Sequence, residues 1–166
     1  MAARTKSSAK SKKATNEPTI ENRKARHQYF IDETLECGIK LLGTEIKSVR
    51  AGKVSLAEGY VKAEENPPSL TVYGIHIGEY PPAGQHRQHK PTQPRRLLAH
   101  RREILKLATK TQAKGVTLVP LKVYFVRGKA KILIGVARGK QKHDKRQDIA
   151  KRDAQRDMER AMSRRR

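Results

Sequence analysis

Apolar positions along this chain recur in two periods, and the switches between them mark the elements. His27-Gln28-Tyr29-Phe30-Ile31 is aromatic and β-branched, and Leu35, Cys37 and Ile39 then alternate with Glu36, Gly38 and Lys40. Residues 27 to 42 therefore read as strand. A short helix follows, with Thr44 as its N-cap, Ile46 and Val49 on one face and Gly52 as its stop. Two further strand runs, near Ser55 to Ala63 and from Leu70 to Ile77, are separated by the turn at Asn66-Pro67-Pro68. Between residues 78 and 94 Gly78, Pro81, Pro82, Gly84, Pro91 and Pro94 break any regular element and leave a long internal loop. The spacing then predicts a helix from about Pro94 to Gly115, with Leu97, Leu98, Ile104, Leu105 and Ala108 on its apolar face and Arg95, Arg96, Arg101, Arg102 and Lys106 mostly elsewhere. The clearest hairpin comes next. Leu121, Val123 and Phe125 face one way, and after the Arg127-Gly128-Lys129 turn Ala130, Ile132, Ile134 and Val136 alternate with Lys129 and Lys131.

Six or so short antiparallel strands with two or three helices predict a mainly β fold, a small barrel of the oligonucleotide-binding type. The expected domain is residues 22–138. Before it, residues 1–21 are rich in Lys, Ser, Ala and Thr and read as a disordered basic arm. After it, residues 139–166 are dense with charge. Asp144 with Gln147 suggests a capping box, and Ala150, Ala154, Met158, Ala161 and Met162 recur near helical spacing. Asp148 with Arg152 adds an i,i+4 pair. The stripe is narrow and mostly alanine, so the tail is expected to be disordered alone and helical against a surface.

Charge changes the picture most. Lys and Arg number 38 against 16 Asp and Glu in 166 residues, a formal net charge of +22. Such a field calls for a polyanion, and nucleic acid fits better than a membrane surface, which would need an apolar or strongly amphipathic stretch. The start of the chain lacks the apolar core of a signal peptide, and no apolar run approaches the length of a membrane span. The one cysteine, Cys37, cannot form an internal disulfide, in keeping with a reducing, cytoplasmic location, and its strand setting reads as that of a buried bystander.

Catalytic and cofactor chemistry finds no footing. Ile134 to Gln141 is distantly like a phosphate-binding loop, but the glycine spacing is one residue short and Gln141 stands where Ser or Thr must reach the metal. His86 and His89 lack Cys or carboxylate partners for a metal. No cofactor is expected. Three basic clusters are candidate RNA contacts: Arg23, Lys24, Arg26 and His27; Arg95 with Arg96; and the cations around His143. His143 either stacks on a base while its neighbours meet phosphates or is a solvated hinge. Tyr29 and Phe30 could supply stacking, with Phe30 the better candidate for the core.

At these residues the sequence resembles the SsrA-binding protein, or small protein B, family. Asn22-Arg23-Lys24-Ala25-Arg26-His27-Gln28-Tyr29-Phe30 looks like its opening strand, Glu45 to Lys53 its first helix, Arg95-Arg96-Leu97-Leu98 its second helix, and Ile134 to Arg146 its last strand and the root of its tail. The resemblance covers roughly Glu21 to Arg160. It implies a barrel of the oligonucleotide-binding type that binds the tRNA-like part of transfer-messenger RNA and brings it to stalled bacterial ribosomes. It implies RNA contacts at Asn22, Glu36, Leu98 and Lys131. Glu36 would accept from base amino groups or sugar hydroxyls, or else pair with a nearby Arg. It also implies that Gly139, Lys140, Lys142, His143, Asp144, Lys145, Arg146 and the apolar Met162 reach the decoding centre and message channel. Gln141 departs from an expected basic residue, and Ala161 from a larger apolar one.

The expected protein is thus a monomeric, non-enzymatic RNA adaptor for trans-translation, meeting elongation factor Tu only through the RNA and no membrane. A structural ribosomal protein or a general RNA-binding protein is the alternative. A nuclease or RNA-modifying enzyme would need acid–base or metal groups that the sequence does not assemble.

Overall fold

The computed structural model describes residues 17–141, and beyond them Asp144, Ala154, Arg156, Asp157, Met158, Arg160 and Met162. Its elements run β1 (Ile20–Glu21), α1 (Arg23–Gln28), β2 (Tyr29–Ile39), α2 (Gly43–Arg50), β3 (Val54–Ser55), β4 (Tyr60–Glu65), β5 (Pro68–Tyr73), β6 (His76–Ile77), β7 (Arg95–Leu98), α3 (Arg101–Thr111), β8 (Val116–Val126) and β9 (Lys129–Gly139). The β8–β9 hairpin closes through two residues, Arg127 and Gly128, both at positive φ (51° and 74°). That is the turn whose twist suits a tight hairpin, and Gly128 takes the left-handed position without cost.

Antiparallel neighbours follow the order β8-β4-β5-β7-β2-β9, and β9 pairs back with β8, so the sheet closes in a ring. Closure leaves few free strand edges. β4 and β1 share one edge of β8, through Val61 opposite Leu118 and through Ile20 and Glu21 opposite Val123 and Lys122. β3 and β6 form a separate two-stranded sheet. The ring encloses a core in which Leu70, Val72, Ile75, Leu118 and Ile132 are fully buried. A second, smaller cluster joins Ala25 of α1 to Val119, Leu121 and Ala137, with Tyr29, Ile31 and Leu133 packed against it. Among the described residues no helix is long and apolar enough to cross a membrane.

Several expectations are corrected. Asn22 to Gln28 is not the start of a strand. The Asn22 side chain accepts the Ala25 N–H at 3.1 Å and starts α1, while its amide donates to the Leu56 and Pro120 carbonyls at 2.8 and 3.1 Å. The residues expected in a disordered arm include Ile20–Glu21, which pair as β1; residues 1–16 lie outside the described set. Thr44 does not cap α2. Leu42 precedes the helix, Glu45 takes the Leu42 N–H at 2.7 Å, and the Thr44 hydroxyl meets His89 Nδ1 at 2.9 Å. The predicted helix from Pro94 is two elements: β7, paired with both β5 and β2, and then α3, which begins after His100 with Glu103 accepting the His100 N–H at 2.9 Å. Leu107 joins Ile104 and Ala108 on the buried face of α3, and Leu98 is not part of it. Bulges at Pro120/Lys122 and Ile31/Glu33 reverse the alternation, so Leu121 and Val123 pack in different clusters. Phe30 is not in the core; it is 46% exposed.

The segment from residue 78 to 94 is tied down. It makes two short 3-10 turns, Pro81–Ala83 and Gln85–Arg87, and the Gln88 amide donates to the Tyr80 carbonyl at 2.6 Å and accepts its N–H at 3.1 Å. His89 is buried between Thr44 and the Ile77 carbonyl. At its end lies a buried ion pair: Arg95 Nε donates to Glu45 Oε1 at 2.8 Å, with both side chains 1% exposed. Glu45 also accepts from Gln93 at 2.7 Å, and Arg95 donates to the Ile75 and Pro91 carbonyls, each at 2.9 Å.

Two outcomes follow from this core. Burial raises the Glu45 pKa, but the donors from Leu42, Gln93 and Arg95 outweigh it and hold the carboxyl below its ordinary 4.5. A depressed carboxyl contributes stability that is complete above pH 4.5 and lost as pH falls below it. Arg95→Leu leaves that carboxylate buried and short of its cation, and should cost about 3–5 kcal/mol in urea unfolding. Arg96→Leu, on the exposed side of β7, should stay within ~0.5 kcal/mol. Equal costs would refute the assignment. Burial likewise pushes the Cys37 thiol up to about 12. A thiol reagent at pH 8 should label it only as fast as the protein opens, and prompt stoichiometric labelling would contradict its burial.

Candidate nucleic-acid interface

Three residues that the resemblance implies converge around Gly38. In the sheet Gly38 lies opposite Leu98 of β7 on one side and Lys131 of β9 on the other. Glu36 is two residues earlier on the same strand, hence on the same face. A Cβ at position 38 would stand 3.2 Å from the Leu98 Cβ, so the glycine leaves room for Leu98 to lie across β2. Leu98 is 57% exposed, an apolar side chain turned to solvent by the parity of its strand. Lys131 Nζ stands 3.2 Å from Glu36 Oε1, and the Tyr124 hydroxyl donates to Glu36 Oε2. Lys122 sits over the Tyr124 ring, 4.8 Å from its centre.

The electrostatics fix the roles of these groups. Hydrogen bonds from Tyr124 first, and Lys131 second, hold the Glu36 carboxyl below its ordinary range. Burial, and then the bond to Glu36, pushes the Tyr124 phenol up to about 12. At neutral pH the face therefore carries a fixed carboxylate and a neutral phenol, beside two lysines and an exposed leucine. Neither group whose shift is resolved here is poised near neutrality, as a general acid or base would need. The set suits recognition: the carboxylate can accept from sugar hydroxyls or base amino groups, the ammoniums can meet phosphates, and Leu98 can pack on a base or ribose. The Arg partner considered for Glu36 is Lys131 and Tyr124 instead. Tyr124 and Lys122 escape the sequence reading, although their alternation with Val123 and Phe125 places them on the outer face, Tyr124 opposite Lys131 and Lys122 opposite Leu133.

The other expected residues divide. Asn22 is 7% exposed and its amide is spent on carbonyls, so it positions α1 and does not offer its side chain to a ligand. Arg23, Lys24 and Arg26 are exposed on α1, with His27 half-buried. Arg95 is withdrawn as an RNA contact, because its guanidinium is inside the core, while Arg96 is exposed. At the far end of β9, Gly139 pairs with Tyr29, and Lys140 is fastened to α1. Its N–H donates to the Gln28 carbonyl at 2.9 Å, its ammonium donates to the Arg26 carbonyl at 3.1 Å and lies 4.9 Å from the centre of the Phe30 ring. Asp144 is helical, and its carboxylate accepts the Gln141 N–H at 3.1 Å. Met158 and Met162 are helical and exposed. Lys142, His143, Lys145 and Arg146, and the Gln147 and Asp148–Arg152 pairings, lie outside the described residues. Among the described residues no group of His, Cys, Asp and Glu could hold a metal ion.

The chain is 52% identical over 145 residues to the SsrA-binding protein of Roseiflexus sp. (strain RS-1), covering 87% of this chain and 90% of that one. It is 53% identical over 144 residues to the SsrA-binding protein of Chloroflexus aurantiacus (strain ATCC 29366 / DSM 635 / J-10-fl), covering 87% and 89%. A solved structure described as "tmRNA-SmpB: a journey to the center of the bacterial ribosome" matches with a TM-score of 0.63 at 46% identity, over 75% of this chain and 86% of that one. The family described as SmpB protein matches residues 19–164. The chain belongs to the SmpB family, the SsrA-binding proteins.

Proposed function

We propose that the face formed by Glu36, Leu98 and Lys131, with Tyr124 and Lys122 beside them, binds a folded loop in the tRNA-like part of transfer-messenger RNA. The chain brings that RNA to stalled bacterial ribosomes for trans-translation and performs no chemical step of its own. The ring of strands serves as a barrel of the oligonucleotide-binding type that presents this face. Arg23, Lys24, Arg26, His27 and Arg96 add phosphate contacts and therefore affinity. Residues 139–166, with Lys140, Lys142, His143, Asp144, Lys145, Arg146 and Met162 as contacts, enter the empty decoding centre and message channel, where the tail is helical. The protein works as a cytoplasmic monomer and meets elongation factor Tu through the RNA.

The observation that carries this reading is the convergence of Glu36, Leu98 and Lys131 on Gly38, on the outside of a closed sheet. A carboxylate held ionised at the centre of a contact face for a polyanion has a steep electrostatic cost unless it selects something. Glu36→Arg adds two units of positive charge, so a generic polyanion binder should bind RNA more tightly as a result. Selective recognition requires the opposite. Binding of the variant to transfer-messenger RNA should weaken at least tenfold, with an unchanged thermal transition, and equal or tighter binding would sink the assignment. For the tail, deletion after Arg138 should leave affinity for the isolated RNA within a few-fold yet abolish peptide tagging on stalled ribosomes; tagging by the shortened protein would end that part of the reading.

A further inference from the structure

Next to Leu98 the surface falls into a groove of about 570 Å³, lined among others by Lys40, Ser69, Arg96, Leu98, Ala99 and Arg101. Its floor is apolar, formed by the buried Leu70, Leu97 and Ile104. Three cations from three elements meet there. Lys40 follows β2 and is held beside β7 by its N–H, which donates to the Arg96 carbonyl at 2.9 Å. Arg96 points outward because Arg95 and Leu97 point inward. Arg101 is the first residue of α3.

These cations differ from those around Glu36. Lys131 is paired with Glu36, and Lys122 lies over Tyr124. Lys40, Arg96 and Arg101 are exposed, and among the described residues none of their side chains pairs with a carboxylate. Glu64, which holds the Ser69 hydroxyl at 2.9 Å, is itself neutralised by Lys62 at 3.0 Å. Three like charges around one groove repel one another, and a polyanion laid between them relieves that repulsion. The groove is far larger than a single phosphate and shares Leu98 with the neighbouring face, which suits a chain of phosphates better than a small anion.

We infer that this groove holds the phosphodiester backbone of the RNA strand that continues from the loop seated on Leu98 and Glu36. The inference rests on the reading of that face as an RNA contact. It divides the surface in two: Glu36 and Leu98 select the shape of the loop, while Lys40, Arg96 and Arg101 supply counterion release along the adjoining strand.

The test uses the full chain and the tRNA-like part of transfer-messenger RNA, with Kd measured across a potassium chloride series. Three proteins are compared: wild type, the triple variant Lys40→Gln/Arg96→Gln/Arg101→Gln, and Leu98→Ala. All four substitutions are at exposed positions, and thermal melting confirms folding. The triple variant should flatten the slope of log K against log salt by about 2 to 3, at ~0.7–0.9 per phosphate contact. Leu98→Ala should lose affinity with the wild-type slope. A triple variant that keeps the wild-type slope while Leu98→Ala weakens binding overturns the groove and leaves the face standing. Wild-type affinity for Leu98→Ala overturns the reading of the face, and with it the groove as its continuation.

Discussion

Much of the molecule depends on where one arginine points. Arg95 begins β7 with its guanidinium in the interior, bound to Glu45 of α2 and to the carbonyls of Ile75 and Pro91. A buried ion pair is tolerable only when its remaining hydrogen-bonding capacity is filled. Here that condition draws together α2, the end of the residue 78–94 segment and the approach to β6. It also sets the parity of β7. With Arg95 and Leu97 inward, Arg96 and Leu98 must face out, one over the groove and the other across Gly38. The exposed leucine is therefore a consequence of core electrostatics, and the closed sheet then holds it within reach of Glu36 and Lys131.

The same arginine explains what could and could not be read from the sequence. Alternation at Leu35, Cys37 and Ile39, and at Ala130, Ile132, Ile134 and Val136, is strong because each strand has one face in the core, and there strand and hairpin were legible. Arg95-Arg96-Leu97-Leu98 was read as helix because two arginines followed by two leucines fit an amphipathic turn, and an arginine is assumed to face solvent. Its pairing with β5 and β2 is a long-range fact with no local signal. Asn22 is an RNA contact only by the resemblance, and nothing local in the sequence hints that its amide is consumed by Leu56 and Pro120, 34 and 98 residues away. Bulges at Ile31/Glu33 and Pro120/Lys122 hid the second apolar cluster, since a strict period of two carries Leu121 to the wrong side. The resemblance supplied Glu36, Leu98 and Lys131 as separate positions. Their neighbourhood around Gly38, and the part of Tyr124 in it, needed the register.

Charge on this surface has two physical characters. A net +22 guarantees attraction to any polyanion but carries no selectivity. Where cations are locked to partners, as at Lys131 with Glu36, part of their field is cancelled and what remains is geometry: acceptors and donors held in fixed places. Where no carboxylate pairs with them among the described residues, as at Lys40, Arg96 and Arg101, geometry is loose, and any attraction they exert on a polyanion varies with salt. Separating the two allows affinity to be large without being indiscriminate.

β9 links the two ends of the proposed activity. Lys131 lies near its start, opposite Gly38, and Gly139 at its end leads into Lys140 and the tail. Eight residues at ~3.3 Å each put these points roughly 26 Å apart. Over that span β9 is paired on one side with β2 and on the other with β8, so it cannot bend or slide as a linker would. Lys140 then continues the constraint one residue past the sheet, through the Gln28 and Arg26 carbonyls and the Phe30 ring. A rigid strut of this kind fixes where the chain beyond Lys140 starts relative to Lys131, and that fixed offset is what the proposed function asks of β9.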